Sequence, residues 1–175
     1  MNPTSTEAAK YIELVRPYLK GCGIDIGSQG ASIVPSAMGV DLPEEAFRIY
    51  NGGHPPRGPI PIRCSADHLP FDSDSLDYVF SSHLLEDFQY WGPVLREWVR
   101  VLRVGGHLVI VIPDKTLWAE ALAKGQPPND AHRHEGYPGE LSTYVENLNL
   151  NVIKDELTQC FPGDYSILFV ASKSL

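Results

Sequence analysis

GIDIGSQGAS, residues 23–32, places one acid, Asp25, inside a short apolar run and sets Gly27 and Gly30 directly after it. A run this short and this apolar, bounded by turn residues, reads as a buried strand. Glycines at its exit mark either a plain strand-exit turn or a turn where backbone can come close to a ligand, because no side chain stands in the way. The spacing is not the nicotinamide fingerprint, since Gly21, Gly23 and Gly27 fall at the wrong intervals and on the wrong side of the strand. A Walker lysine is also missing, so the turn meets its ligand without cradling a pyrophosphate. Similar apolar runs follow at residues 37–40, 76–81 and 107–112, with helical stretches between them. That alternation implies a parallel sheet with covering helices, which binds ligands beyond the carboxyl ends of its strands.

Working outward, residues 4–20 place Ala8, Ile12, Val15 and Leu19 on one side of a leading helix, kinked at Pro17 and stopped at Gly21. Residues 83–103 have the spacing of a crossover helix with a break at Gly92-Pro93, ended by Gly105-Gly106. After Asp114 come a short helix over 116–124, a polar loop over 125–139 and a helix over 140–147. Residues 152–157 and 165–171 read as an antiparallel closing pair of strands. The stretch NGGHPPRGPIP, residues 51–61, is too rich in Gly and Pro for regular structure and is expected to form a loop or lid. Sixteen positions separate Asp25 from Asp41, and Pro35 interrupts them, so one or two helical turns fit where a full covering helix would stand. The sheet is therefore expected to be partly uncovered there, with an apolar patch that favours a homodimer.

Composition narrows the function. With 175 residues, 43% apolar and 21% charged, the chain has the make-up of one ordinary globular domain spanning 1–175. A net charge of −8 argues against a broad cationic surface, and so against generic nucleic-acid binding or docking on an anionic bilayer. No apolar stretch approaches the ~20 residues of a membrane-spanning helix, and MNPTSTEAAKY lacks the apolar core of a secretory signal, so a cytoplasmic protein with no membrane partner is expected. Cys22, Cys64 and Cys160 form no CxxC pair and read as reduced structural thiols.

Asp41 ends the second strand in MGVDL; a carboxylate there can accept both hydroxyls of a ribose, or alternatively cap a helix before Pro43. The ordered series DIGSQG (25–30), VDL (40–42), ADHLPFDSDSLDYVFSSHLLEDF (66–88) and REWVRVLRVGGHLVIVIPD (96–114) resembles the class I S-adenosylmethionine-dependent methyltransferases, and more narrowly the type 11 methyltransferases. The resemblance implies an α/β fold: a Rossmann-like, seven-stranded, mostly parallel sheet with an antiparallel C-terminal strand pair, helices on both faces and a shortened first helix. It assigns residues 1–20 to a leading helix, 21–114 to a cofactor-binding core and 115–175 to an acceptor loop and closing strands. The implied cofactor is S-adenosyl-L-methionine, with S-adenosyl-L-homocysteine as product.

Carried over by position, Asp25, Gly27, Ser28 and Gly30 surround the methionine part of the cofactor, and Asp41 with Leu42 holds the ribose. Ala66 and Asp67 flank the adenine, with Leu69 as packing, while Ser81, Ser82 and His83 follow the fourth strand, where the methyl faces the acceptor. Two departures stand out. Gln29 and Ala31 occupy the second and third glycine positions of the family's DxGxGxG turn, and Ser65 replaces the acid that commonly precedes the adenine alanine.

The chemistry needs a base only if the acceptor is a hydroxyl. His83 is the best-placed candidate, its other reading being a helix cap. In DAHRH, residues 130–134, His132 and His134 are further catalytic candidates, and Arg133 can grip a carboxylate or phosphate bidentately. Asp130, His132 and His134 alternate, a spacing by which an extended segment aims metal ligands to one side, but no fourth ligand is evident and no metal is expected. Asp114 is a candidate acceptor contact, and Tyr90 with Trp91 either walls the acceptor pocket or belongs to the core. Glu86 and Asp87 read as a solvated helix face, and Asp72, Asp74 and Asp77 as a turn and strand entry. SSHL stands where amino-methylating enzymes often carry an NPPY-like tetrad, which disfavours nucleic-acid or protein methylation. The expected activity is methyl transfer to a small-molecule or glycan-type acceptor through a hydroxyl. The competing reading is a methyltransferase-fold binding or regulatory subunit with little or no catalysis.

Overall fold

A computed structural model describes residues 7–175, and in it seven strands form one sheet in the order β3-β2-β1-β4-β5-β7-β6. The strands are β1 (Gly23–Ile26), β2 (Met38–Asp41), β3 (Ile62–Arg63), β4 (Leu76–Ser82), β5 (Leu102–Pro113), β6 (Leu150–Leu157) and β7 (Ser166–Lys173). β1 to β5 pair in parallel, whereas β7 runs antiparallel to both of its neighbours, β5 and β6. The helices are α1 (Ile12–Val15), α2 (Glu44–Tyr50), α3 (Trp91–Val101), α4 (Lys115–Ala123) and α5 (Glu140–Val145).

The central strands β1, β4 and β7 and the second half of β5 read as nearly continuous apolar runs because both sheet faces are buried there, whereas the edge strand β6 is exposed or half-buried throughout. Successive residues alternate between two cores. Ile24, Ile26, Val79, Leu108, Ile110 and Phe169 pack with Leu95 and Trp98 of α3 and Leu141 of α5. Tyr78, Phe80, Val109, Val111 and Val170 pack on the other side with Tyr11, Val15 and Leu19. The amphipathic pattern of the N-terminal segment is thus used, but not as one helix. Residues 4–6 of the expected span lie outside the described residues, and from Glu7 the segment is a 3-10 turn (Glu7–Tyr11), one turn of α1, and a second 3-10 turn (Arg16–Tyr18). Pro17 has no N–H to continue an α-helical ladder through that last turn.

Four further expectations are corrected. No helical turn forms between β1 and β2; residues 27–37 are turns and bends, and Ile33 and Val34 fold back against the Tyr78 and Phe80 side of the sheet. The uncovered apolar patch therefore does not arise, and the exposed large apolar residues, such as Ile49, Val104, Val152 and Ile153, lie elsewhere. The dimer expectation loses its premise. The break in the crossover falls at Phe88–Tyr90, where Phe88 and Tyr90 take extended backbone, and Gly92-Pro93 sit in the first turn of α3, a position that tolerates proline. Gly105-Gly106 do not cap that helix: α3 passes directly into β5, and the glycines sit in a bulge between the pairs Leu76–Leu102 and Tyr78–His107. Two elements, α2 and β3, had no counterpart in the sequence reading.

One contact ties this core to the strand-end loops. The buried Trp98 indole N–H donates to the Ala66 carbonyl at 2.8 Å. Trp98→Phe keeps an aromatic side chain but removes the N–H and one of the two fused rings, so the carbonyl loses its donor, a void opens in the core, and unfolding free energy should fall by about 1–3 kcal/mol or more. A urea titration showing a lower midpoint at unchanged slope would establish this, and an unchanged midpoint would refute it.

Candidate active site

Where β1, β2 and β4 end, two cavities adjoin. The first, of about 250 Å³, is lined by Ile26, Leu42, Ala66, Leu84 and Phe88 with Asp41 at its wall. The second, about 370 Å³, is more polar, with Asp25, Ser28, Arg57 and Ser82 among its lining residues. Gly27, Gln29, Tyr50, Asn51 and His83 line both. A third cavity, about 290 Å³, lies under residues 126–132 and is walled by Trp118 and Tyr165; it meets the second at Glu7, His83 and Asn129. His83 thus borders all three.

Asp41 organises the first cavity. Its Oδ2 accepts the Gln29 N–H at 2.8 Å and its Oδ1 accepts the Leu42 N–H at 2.9 Å. Burial raises its pKa, against the pull of these two amides and of Arg63. Each oxygen keeps a lone pair for a further donor. The helix-cap alternative fails, since α2 starts after Pro43 without any side-chain cap. Gln29 has φ of 51°, the left-handed backbone that glycine would adopt freely, and its N–H on Asp41 holds it there.

Asp25 is buried and accepts the Ile33 N–H at 2.6 Å. Burial pushes its pKa up to about 7, the Ile33 amide opposing and the charge of Asp41 adding to the rise. Gly27, with φ of 80°, donates its N–H to the Val40 carbonyl at 2.9 Å and so keeps the turn close to β2. Ser28 lines the second cavity and its Oγ accepts the Gly30 N–H at 3.3 Å. Gly30 itself faces away from both cavities, against the backbone of Gly58; a Cβ at either glycine would strike the carbonyl of the other. The loop over 51–61 is strapped to the turn there, with the Arg57 N–H donating to the Gln29 carbonyl at 2.8 Å.

Of the remaining expected cofactor contacts, Ala66 and Ser82 line a cavity. Asp67 is exposed and accepts the Ser65 hydroxyl, and Ser81 turns into the sheet, donating to the Ile26 carbonyl at 3.2 Å. Among the acceptor candidates, Tyr90 is 71% exposed, Arg133 is exposed, and Asp114 accepts the Leu117 N–H at 2.9 Å as the cap of α4. His134 stacks on Trp91, centroids 4.2 Å apart, with its Nε2 2.7 Å from Glu140 Oε1. None of these four borders the three cavities, whereas His132 and Asp130 line the third. Among the described residues no three His, Cys, Asp or Glu side chains converge as a metal site requires.

Glu86 and Asp87 are not a solvated face. Glu86 is fully buried, and Asp87, lining the first cavity, accepts the Tyr50 hydroxyl, burial lifting its pKa to about 6. The 3-10 turn Leu85–Asp87 folds both inward, which a helical projection of residues 83–103 does not reveal. Sequence reading also passed over Tyr50, Asn51, Trp118 and Tyr165. Tyr50 had a legible signal: acids in the first turn after Pro43 and Arg48 near the end mark α2.

Residues 20–110, just over half of the chain, match a sequence family described as a methyltransferase domain. The chain belongs to that family. Phthiotriol/phenolphthiotriol dimycocerosates methyltransferase of Mycobacterium leprae is 34% identical over 85 residues, a match covering 45% of this chain and 32% of that protein. Among solved structures, an S-adenosylmethionine-dependent methyltransferase of Thermotoga maritima superposes with a TM-score of 0.70 at 18% identity, covering 95% of this chain and 89% of that one. A Mesorhizobium loti enzyme of the same description gives 0.68 at 17%, covering 95% and 99%. A chain from a Haloferax volcanii complex of the Trm112 methyltransferase activator with a methyltransferase gives 0.67 at 15%, covering 95% and 89%. At such identities the shared feature is the fold, the class I methyltransferase sheet. Family membership and fold together imply S-adenosylmethionine as the methyl donor and S-adenosylhomocysteine as its product.

The residues present fit that cofactor. The apolar first cavity with Asp41 at its wall suits an adenosine, and the more polar second cavity, lined by Asp25, Ser28 and Arg57, suits an amino-acid end. No helix among the described residues is long and apolar enough to cross a membrane.

Two predictions follow from these carboxylates. Asp41→Ala should weaken S-adenosylhomocysteine binding by about 2 kcal/mol, read by calorimetry, and unchanged affinity would remove Asp41 from the site. Because the folded pKa of Asp25 is raised, the folded state holds a proton that the unfolded chain releases near its ordinary pKa of about 3.9. Its contribution to stability is present below that value and is lost as pH rises to about 7. Asp25→Asn should abolish this component, so the difference in urea midpoint between variant and parent grows across that window; a constant difference would disprove it.

Proposed function

We propose that this methyltransferase transfers its methyl group to a hydroxyl of a small-molecule or sugar-type acceptor seated in the third cavity, with His83 as the general base. The observation that carries this reading is the position of His83 at the junction of the three cavities, directly after β4. Its backbone is left-handed, φ 50°, and its N–H is tied to the Val111 carbonyl at 2.8 Å, so the ring is presented from a fixed point. Nδ1 lies 3.4 Å from Glu86 Oε1, and Nε2 has a long 3.4 Å contact with Ser166 Oγ. A substrate hydroxyl at ordinary hydrogen-bond distance outcompetes a contact of that length.

The sulfonium cofactor supplies an activated methyl and a good leaving group. The protein's task is alignment, which can contribute roughly 7–11 kcal/mol, and removal of one proton. Asp41 and Leu42 hold the adenosine end, Asp25 and Ser28 border the amino-acid end, and Trp118 and Tyr165 give the acceptor flat walls. The M. leprae relative is named for phthiotriol and phenolphthiotriol dimycocerosates, so lipid alcohols join sugars in the acceptor screen.

Burial lowers the pKa of His83 but the Glu86 carboxylate raises it further, leaving it above the ordinary value. As a base it works only when neutral, so turnover should rise with pH through a midpoint above about 6.5. His83→Ala should cut kcat by about 10²–10⁴ while S-adenosylhomocysteine still binds. Product release measured on the acceptor identified by the screen decides this: undiminished kcat sinks the base assignment. Cofactor binding without turnover on any acceptor supports the binding-subunit reading instead.

A further inference from the structure

Glu86 is 0% exposed, yet neither carboxylate oxygen has a hydrogen-bond donor at ordinary geometry among the described residues. An acid enclosed in this way is costly unless a cation can form beside it. Two imidazoles stand at ion-pair distance from the same oxygen, Oε1: His83 Nδ1 at 3.4 Å and His132 Nε2 at 3.7 Å. The main chain of Glu86 adds to the arrangement, its carbonyl accepting the N–H groups of Arg133 at 2.7 Å and His134 at 3.0 Å. One residue therefore anchors the loop over the acceptor cavity and faces the candidate base. Burial as mere filling does not explain a carboxylate here, since no backbone amide satisfies it.

We propose that Glu86 is a positioning residue for methyl transfer, holding the proton of His83 on Nδ1 so that Nε2 is left to receive the proton of the acceptor. This rests on the reading of His83 as the base. In the step, the acceptor O–H bond breaks and its proton passes to Nε2, the oxygen pair forms the new bond to the methyl carbon, and the C–S pair leaves on sulfur. The positive charge that began on the sulfonium ends on the imidazole, beside the enclosed Glu86 carboxylate.

The other groups around His83 do not offer the same service. Tyr11 from the N-terminal segment and Tyr165 before β7 face it with ring centroids at 6.2 and 6.0 Å, and Ser166 of β7 lies at Nε2. Glu7 and Lys10 act on it in opposite senses and pair with each other at 3.5 Å. Beyond Glu86, His132 is balanced by Glu135 at 3.3 Å.

The test is a pH titration of the imidazole resonances in the whole protein, with His83 assigned through His83→Gln. The parent should show His83 titrating above the ordinary value, and Glu86→Gln should lower its midpoint by about one to two pH units, because burial remains and the carboxylate is gone. Glu86→Asp, which keeps the charge but withdraws it, should fall between, and it is read alone if Glu86→Gln does not fold. A carboxylate that only packs leaves the midpoint where it was, and an unmoved midpoint overturns the proposal. The rising limb of kcat/KM against pH should move with the same midpoint in Glu86→Gln. Undiminished turnover in His83→Ala instead overturns the base reading, whatever the titration shows, so the two failures are distinct.

Discussion

The bond from the Gln29 N–H to the Asp41 carboxylate joins the turn leaving β1 to the end of β2, and the arrangement of the strand ends depends on it. Without a helix between these strands, eleven residues of turns and bends must be held by side chains and single amides instead. Asp41 fixes the first part and Asp25, through Ile33, fixes the second. The cost is two carboxylates drawn out of water at the mouth of the sheet, each with its pKa raised by burial.

Enclosed acid recurs on the far side of the junction. Glu86 and Asp87 belong to the 3-10 turn after β4, and both are drawn inward by a chain that has no room for a regular helix before Trp91. Short, irregular connections on both sides of the cavity thus place side chains that a longer helix would aim at solvent. The left-handed backbone of Gln29 and of His83 belongs to the same economy, with strain held by a tied N–H at each position.

Much of the fold was legible because buried parallel strands carry their signature in uninterrupted apolar runs, and the ordered motifs placed Asp25, Asp41 and His83 at strand ends. The short β3 was not, since two residues have no periodicity, and α2 was hidden beside the glycine-rich stretch that follows it. Helical projection misled at residues 83–90, where local turns break the 3.6-residue repeat. The third cavity was the least legible. Trp118 and Tyr165 come together from α4 and the approach to β7, with ring centroids 5.0 Å apart, and no local pattern announces a contact between segments so distant in the chain.

Gly30 and Gly58 meet back to back, each occupying the volume that a side chain on the other would need. A contact of this kind has no reserve, because neither partner can shrink to accommodate growth in the other. The strap and the turn after β1 are coupled through this contact: a residue larger than glycine fits at one position only if the backbone of the other segment shifts. The loop over 51–61 and the turn after β1 thus behave as one packing unit, and neither can be remodelled alone.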